Sequence, residues 1–412
     1  MSLARPAAIS LAYGTEGRFS CEIDPGRIVG QLAAPRPTPR FAEELRTALA
    51  RPLDFPAMEQ AVVPGDVVCV ALDQATPEAA AIVSELWRVF EMRGVSPDAL
   101  RIVQPPTRRG HAAPDPREAL PADVRREVSW TIHDPEARSQ QAYLASVASG
   151  ERIYLAREVI DADFLVSVGP LAFDPLLGYR GTNSVYFPGL SSGKAVGRAR
   201  GQGHVELGPD DERPLRQLID EIAWLLGVMF TVQVVPARGA GAARVLAGAP
   251  DSVLQLGKHY LAADWLIELE SRPEMVVAAI DADAGGHHWG QVGAALDAAR
   301  NLVAREGKIV LLSEISELPD GGMGILAASE SPADAFGPLR EAAPPDLVEA
   351  TQLCNALEWA DVYFLSRLES DRVDDLFMVP LADEREVARL LGRDESCAVL
   401  ESAQHAYGRI RC

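Results

Sequence analysis

The chain has 412 residues, of which 48% are hydrophobic and 24% are charged, as is typical of a folded globular protein. This length exceeds what one ordinary hydrophobic core requires, so two domains are expected. The formal net charge of -20 would repel a phosphate backbone, and no dense run of Lys and Arg offsets it, which disfavours nucleic acid as a partner. A small anionic metabolite would need a local positive pocket.

The first half of the chain repeats a short β-branched run, a turn and an amphipathic segment, which is typical of βα units in a largely parallel sheet. Residues 67–72 are predicted to form a buried strand, and residues 77–93 a helix that ends at Gly94. Further strands are predicted at 100–103, 164–168 and 232–235. A helix is predicted at 214–226, where the preceding acidic residues suit the positive end of its dipole.

A second series begins at Met275 with another β-branched run. It continues with a Gly- and His-containing loop, a helix at 289–305 and strands at 308–312 and 361–365. We therefore expect an N-terminal domain at residues 1–250, a linking helix at 251–272 and a C-terminal α/β domain at 273–412. Each domain is expected to contain a mostly parallel sheet flanked by helices, with a cleft between the domains.

The cysteines and the N-terminus predict where the protein resides. The five cysteines are widely scattered, without the paired spacing of a zinc site or a disulfide framework, so a reducing compartment is expected. The N-terminus lacks a long apolar core with a cleavage site, and nowhere do about eighteen apolar residues run together. These features predict a cytoplasmic protein without a membrane partner.

The loops after the predicted strands are the candidate sites, because ligands bind beyond the carboxyl ends of strands in α/β sheets. The run DQATP at 73–77 resembles the Asp-x-Thr-Arg-Pro turn of the nickel-dependent lactate racemase family, with Asp73 kept and Thr76 in place of the arginine. The next loop, QPPTRRG at 104–110, is similar in position to the family's Gly-Thr-His-Arg loop. Arg108 stands there in place of the first catalytic histidine.

A third loop, at 174–181, resembles the family's His-x-x-x-Gly-Phe-Ser-Gly motif. Asp174 falls at the position of the second catalytic histidine, whereas Gly178 and Gly181 are kept. Ser184 stands where the family has the lysine that holds its pincer cofactor covalently, and it cannot form that thioamide. His204 lies near the position of the family's nickel-binding histidine.

The second domain carries the same resemblance. Residues 285–314 resemble the family's Pro-Gly-Gly loop, Tyr-Gln turn and following helix, with Gln291 kept and Ala294 in place of a lysine. The run LAYGTEGRF at 11–19 resembles the family's Leu-Pro-Tyr-Gly start. The resemblance spans nearly the whole chain and implies a diverged member whose residues 1–250 form the lactate-racemase-like domain.

The resemblance implies racemisation or epimerisation of a 2-hydroxy acid, in which a nickel-pincer nucleotide accepts a hydride while a histidine removes the hydroxyl proton. Arg108 is permanently charged and cannot act as that base, but it could bind a substrate carboxylate through two hydrogen bonds and compensate for the arginine missing at Thr76. The candidate catalytic residues are Asp73, Arg108, Asp174 and Gln291.

A metal-nucleotide can also be held without a covalent link, through contacts of its phosphate with backbone N–H groups. The candidate cofactor-binding residues are Thr76, Gly178, Gly181, Ser184 and Lys194, and His204 is the candidate metal ligand. Structural roles are the alternatives: a helix cap for Asp73, turn positions for the glycines, a solvated lysine and a loop histidine.

Three hypotheses remain. In the first, the chain is a racemase or epimerase of a 2-hydroxy acid that uses the nickel-pincer nucleotide without a covalent tether. In the second, it is an enzyme of the same fold that no longer uses this cofactor. The third is a non-catalytic paralogue that binds a small anionic metabolite or a cofactor-assembly protein. The family's activity favours the first, while the replaced residues argue against racemisation of lactate itself.

Overall fold

The computed structural model describes residues 7–107, 112–202, 207–393 and 395–411. Its strands are β1 (Ala7–Tyr13), β2 (Gly17–Ile23), β3 (Ile28–Leu32), β4 (Val68–Leu72), β5 (Leu100–Gln104), β6 (Ser129–Ile132), β7 (Gln141–Ser146), β8 (Arg152–Ala156), β9 (Phe164–Pro170), β10 (Ala172–Asp174), β11 (Gly178–Arg180), β12 (Phe230–Pro236), β13 (Ala242–Gly248), β14 (Leu266–Leu269), β15 (Met275–Ala279), β16 (Lys308–Leu312), β17 (Asp361–Leu365), β18 (Val379–Leu381), β19 (Cys397–Leu400) and β20 (Tyr407–Ile410).

The helices vary from single turns to four turns. They are α1 (Phe41–Ala50), α2 (Ala79–Met92), α3 (Ala122–Glu127), α4 (Arg157–Ile160), α5 (Gly193–Arg200), α6 (Pro214–Leu226), α7 (Pro250–Trp265), α8 (Trp289–Leu302), α9 (Gly321–Ala327), α10 (Pro332–Ala342), α11 (Leu347–Leu357), α12 (Ser370–Asp374) and α13 (Glu384–Leu391). Within the described ranges, none of these helices is both long and apolar enough to cross a bilayer.

The chain divides into two compact units. Unit 1 comprises Met1–Pro35, Arg200–Glu206 and Ala262–Cys412, and unit 2 comprises Arg36–Ala199 and Leu207–Leu261. The sequence placed residues 1–35 with the N-terminal domain, whereas here β3 pairs with β19 near the other end of the chain. The predicted linking helix corresponds to α7, but this helix ends at Trp265 and strand β14 follows it.

Unit 2 is built on a six-stranded sheet with the order β13-β12-β9-β4-β5-β6. All neighbouring pairs are parallel except β12 and β13. Strands β4 and β9 are buried along their whole length, which is why their sequences are continuous apolar runs rather than alternating ones. Helix α2 packs its buried face, which includes Ile82, Leu86 and Phe90, into the same core.

Unit 1 contains a second six-stranded sheet with the order β18-β17-β16-β15-β19-β3. All of its neighbouring pairs are parallel. The β1–β2 hairpin packs apolar side chains such as Leu11 and Phe19 into the core of this unit. The expected α/β class, with parallel sheets flanked by helices, is confirmed.

Candidate functional site at the strand ends

The sheet of unit 2 changes direction between β4 and β9. From β4 the chain proceeds to β5 and β6 on one side, whereas β9 and β12 lie on the other side. Loops that leave two neighbouring parallel strands in opposite directions open a crevice at their carboxyl ends, where ligands of α/β proteins bind. The loops that begin at Asp73 and Leu171 are therefore the structural candidates for a binding site.

Asp73 and Arg180 form a two-pronged ion pair at this switch point. Arg180 donates from Nε to Oδ2 of Asp73 at 2.9 Å and from Nη2 to Oδ1 at 2.7 Å. The backbone N–H of Asp73 also donates to the carbonyl oxygen of Val168, so Asp73 is held at the end of the hydrogen-bonded strands β4 and β9. Asp73 is only 6% exposed, and the Arg180 side chain is 36% exposed. The pair therefore fixes a guanidinium group that still reaches solvent.

The turn after β4 is closed by its own side chains. The Thr76 hydroxyl donates to the carbonyl oxygen of Asp73 at 2.6 Å and is buried. Gln74 Nε2 donates to the carbonyl oxygen of Pro105 at 2.6 Å, which ties this turn to the loop after β5. Ala75 and Glu78 have positive φ angles of 56° and 60°. Thr76 thus shapes the turn that presents Asp73.

Asp174 occupies the tight turn of the β10–β11 hairpin. Its Oδ1 accepts hydrogen bonds from the backbone N–H groups of Leu176 at 2.9 Å and Leu177 at 2.8 Å. This is the usual way in which an aspartate stabilises a turn through its own side chain. The carboxylate proposed from sequence as a catalytic group is therefore engaged in local structure.

This geometry makes a testable prediction for Asp174. Replacement by Ala removes the acceptor for two N–H groups and should lower the free energy of unfolding by about 1–2 kcal/mol. Asp174→Asn keeps the oxygen and should stay within about 0.5 kcal/mol of the wild type. Urea denaturation measures both variants. A loss of stability in the Asn variant as large as in the Ala variant would contradict the turn role.

The loop after β11 has little room for side chains. Gly181 has a φ of +123°, and a Cβ there would lie 2.6 Å from a Leu171 methyl carbon and 2.8 Å from Gln233 Oε1. The backbone N–H of Gly181 donates to the Ser184 hydroxyl at 3.1 Å, and that of Thr182 donates to Gln233 Oε1 at 2.9 Å. Ser184 is buried in this role.

Two of the remaining sequence candidates, Gly178 and Lys194, are not brought to the ion pair. Gly178 lies in β11, where a Cβ would be 2.3 Å from the carbonyl oxygen of Pro209. Lys194 is exposed near the start of helix α5. Arg108 and His204 lie outside the described residues.

Unit 1 has its own switch point, between β15 and β19, and polar side chains gather there. Gln404 Nε2 donates to Asp281 Oδ1 at 2.8 Å, and His405 Nε2 lies 3.4 Å from Asp283 Oδ2. Gln291 in the first turn of α8 is 5% exposed, and neither of its amide atoms has a hydrogen-bond partner among the described residues.

His287 lies in the loop of unit 1 that connects β15 to α8. Burial lowers the pKa of its imidazole below the usual 6.5, although nearby carboxylates, of which Glu314 acts most strongly, oppose that shift. Across the described parts of the chain, no group of three or more His, Cys, Asp or Glu side chains is arranged to hold a metal ion.

Sequence reasoning identified Asp73 but not its partner. Arg180 stands where the resembling motif has serine, while Thr76 stands where it has arginine. Relative to the resembling motifs, the chain gains an arginine at position 180 and lacks one at position 76. These two changes, together with a buried aspartate that needs a cation, are the signal that would have indicated the pair. The structure brings Asp73, Thr76 and Arg180 together in unit 2, and Gln291 belongs to unit 1.

Comparisons with known proteins show what the chain is similar to. The family model of the lactate racemase N-terminal domain matches residues 13–202. The lactate racemase apoprotein from Thermoanaerobacterium thermosaccharolyticum has a similar structure, with a TM-score of 0.78 and 17% sequence identity over 98% of this chain and 100% of that chain. A Thermotoga maritima protein solved by structural genomics has a TM-score of 0.67 and 12% identity over 90% of this chain and 98% of that chain.

No curated protein sequence matches the chain at a significant level. The two structural likenesses, at this low identity, establish the fold. The matched family model covers β4, the turn at Asp73 and the β10–β11 hairpin. Residues 13–202 are thus similar to the lactate racemase N-terminal domain, and the chain as a whole shares the fold of the lactate racemase apoprotein.

Proposed function

We propose that this protein binds a small 2-hydroxy carboxylate at the switch point of unit 2, with Arg180 as the group that receives the carboxylate. The Asp73–Arg180 pair is the observation that carries this proposal. Asp73 takes two donors of the guanidinium and thereby fixes its plane, while the side chain remains 36% exposed to an incoming anion. Asp73 is a positioning residue in this arrangement.

The family resemblance supports a hydroxy carboxylate as the ligand class. In the resembling motif an arginine stands three residues after the aspartate, and here Thr76 closes the turn instead. Arg180 brings a guanidinium to the same aspartate from a different strand. The positive charge that an anionic ligand needs is therefore retained at the strand ends, despite the strongly acidic composition of the chain.

The side chains at the family's cofactor positions do not fit a covalently held nickel-pincer nucleotide. Ser184 has no amine for a thioamide, and its hydroxyl is used by the backbone N–H of Gly181. Asp174 is likewise used by its own turn. We therefore propose binding of the metabolite without a tethered cofactor.

A second candidate function, racemisation or epimerisation of a 2-hydroxy acid with the nickel-pincer nucleotide untethered, is favoured by Gln291. This residue is kept from the family pattern, and its buried amide has no partner among the described residues. Buried amides are almost always hydrogen-bonded, so such a group points to a ligand that supplies the bonds.

Metal content separates the two candidates, whereas the mass of the chain tests only for a covalently held cofactor. We expect the purified protein, when produced together with the cofactor-synthesis enzymes, to have the mass of the unmodified chain and no stoichiometric nickel. Intact-mass spectrometry and elemental analysis measure this. Nickel at a near-equimolar level would overturn the first candidate in favour of the second.

Ligand binding tests the first candidate directly. Isothermal calorimetry with a panel of D- and L-2-hydroxy acids should give saturable heat with the wild type, and Arg180→Met should weaken binding by at least about tenfold, because a charge-assisted hydrogen bond contributes about 1.5–3 kcal/mol. Arg126→Met, which changes an exposed arginine on α3, is the matched control. Equal affinity in wild type and Arg180→Met would exclude this role.

A further inference from the structure

Unit 2 contains a cavity of about 190 Å³ whose lining includes neither Asp73 nor Arg180. Its walls are the β10–β11 hairpin, the segment that leads into α6 and one face of α7, represented by Tyr179, Arg213 and Lys258. Tyr179 and Arg180 are consecutive residues of β11, so their side chains point to opposite faces of the hairpin. The cavity at Tyr179 is therefore distinct from the site at Arg180.

Three cationic side chains line this cavity, and two have buried donors without an acceptor. Arg213 is only 4% exposed, and its Nε has no hydrogen-bond partner among the described residues. Arg216 pairs with Asp220 through Nη2, but its Nη1 also lacks a hydrogen-bond partner among the described residues. The Lys258 ammonium lies 4.3 Å from the centre of the Tyr179 ring. Buried donors without acceptors are costly, so a ligand oxygen is the natural partner.

Three carboxylates, Asp210, Asp211 and Glu212, line the same cavity and balance these cations. Asp210 Oδ1 accepts a hydrogen bond from the Tyr179 hydroxyl at 3.0 Å, and Asp211 Oδ2 accepts one from the backbone N–H of Gly208 at 2.7 Å. Glu212 is exposed at the rim. A simple anion would be repelled by these carboxylates as strongly as it is attracted by the cations, whereas a ligand with both charges would satisfy both sets.

The rest of the lining is formed by Leu177, Pro209, Gln217 and Leu254. Leu177 and Leu254 contribute aliphatic surface, and the hairpin approaches the 209–213 segment closely because residue 178 is glycine. A Cβ at Gly178 would lie 2.8 Å from Nη1 of Arg213 as well as against the Pro209 carbonyl oxygen. This wall of the cavity is thus formed by close contact between the hairpin and Arg213.

We propose that this cavity binds a small α-amino acid with a short apolar side chain. The ligand carboxylate is received by Arg213, Arg216 and Lys258, the ammonium group by Asp210 and Glu212, and the side chain by Leu254. This inference does not depend on the hydroxy-carboxylate site, because the two ligands differ in the ammonium group and the two sites use different residues.

Calorimetry with L-valine and L-lactate tests this proposal on the full chain. The wild type should bind L-valine, and Lys258→Met should weaken that binding by about tenfold, because it removes one charge-assisted contact and keeps the aliphatic stem. Leu254→Trp should abolish it by filling the cavity. Arg126→Met, on α3, should leave L-valine binding unchanged.

Circular dichroism and the Tm of each variant establish that it is folded. Lys258 is partly exposed, so the Lys258→Met variant should fold even if Leu254→Trp does not. The absence of L-valine binding to the wild type would overturn the proposal, and so would L-valine binding of undiminished affinity in Lys258→Met. Failure of L-lactate alone to bind would count against the hydroxy-carboxylate site and not against this one.

Discussion

Arg180→Ala should lower the free energy of unfolding by about 2–4 kcal/mol, because it leaves the buried Asp73 carboxylate without its cation. Removal of one partner of such a pair is far more costly than removal of both, since an unpaired buried charge retains its full desolvation cost. Urea denaturation followed by circular dichroism measures the effect.

The double variant Asp73→Asn/Arg180→Met is the matched control. It removes both charges and should recover much of the stability that Arg180→Ala loses. Ordinary surface substitutions change the free energy of unfolding by up to about 0.5 kcal/mol. If Arg180→Ala changed it by no more than that, the ion pair would not stabilise this edge of the sheet.

Gly181→Ala should have a comparable effect, about 2–5 kcal/mol, for a different reason. Its φ of +123° is accessible to glycine alone, and the added Cβ would meet Leu171 and Gln233 at distances that real contacts do not show. Displacement of Gln233 would also break its hydrogen bond to the backbone N–H of Thr182. Thermal and urea denaturation measure the change.

Gly227→Ala provides the comparison for Gly181. Gly227 ends helix α6 with a φ of +71°, but a Cβ there has nothing within 4 Å. The cost should therefore be only about 1 kcal/mol, from backbone strain without a clash. If the two variants lost equal stability, the close packing around the loop after β11 would not be the cause.

The strands and helices that the sequence predicted best are those whose pattern is purely local. Helix α6 begins and ends at the predicted residues, and so do β16 and β17, because continuous apolar runs and clear caps mark them. Strand β19 was not predicted, although it lies inside the unit 1 sheet between β15 and the edge strand β3. Its neighbour β3 is more than three hundred residues away along the chain, and no local pattern specifies such a pairing.

Only part of the candidate site could be placed from the sequence. Asp73 directly follows a recognisable strand, so its position at the sheet edge could be inferred. Arg180 could not be placed, because its role depends on how β11 folds back beside β10. Asp174 was assigned a catalytic role from its family position, yet its two hydrogen bonds to the next backbone N–H groups are a property of the turn itself.

A crystal structure of the protein with a bound 2-hydroxy acid tests the central claim most directly. We predict that the ligand carboxylate lies within hydrogen-bonding distance of the Arg180 guanidinium while Asp73 keeps its two bonds to that side chain. A ligand bound elsewhere, with Arg180 making no contact to it, would contradict the account.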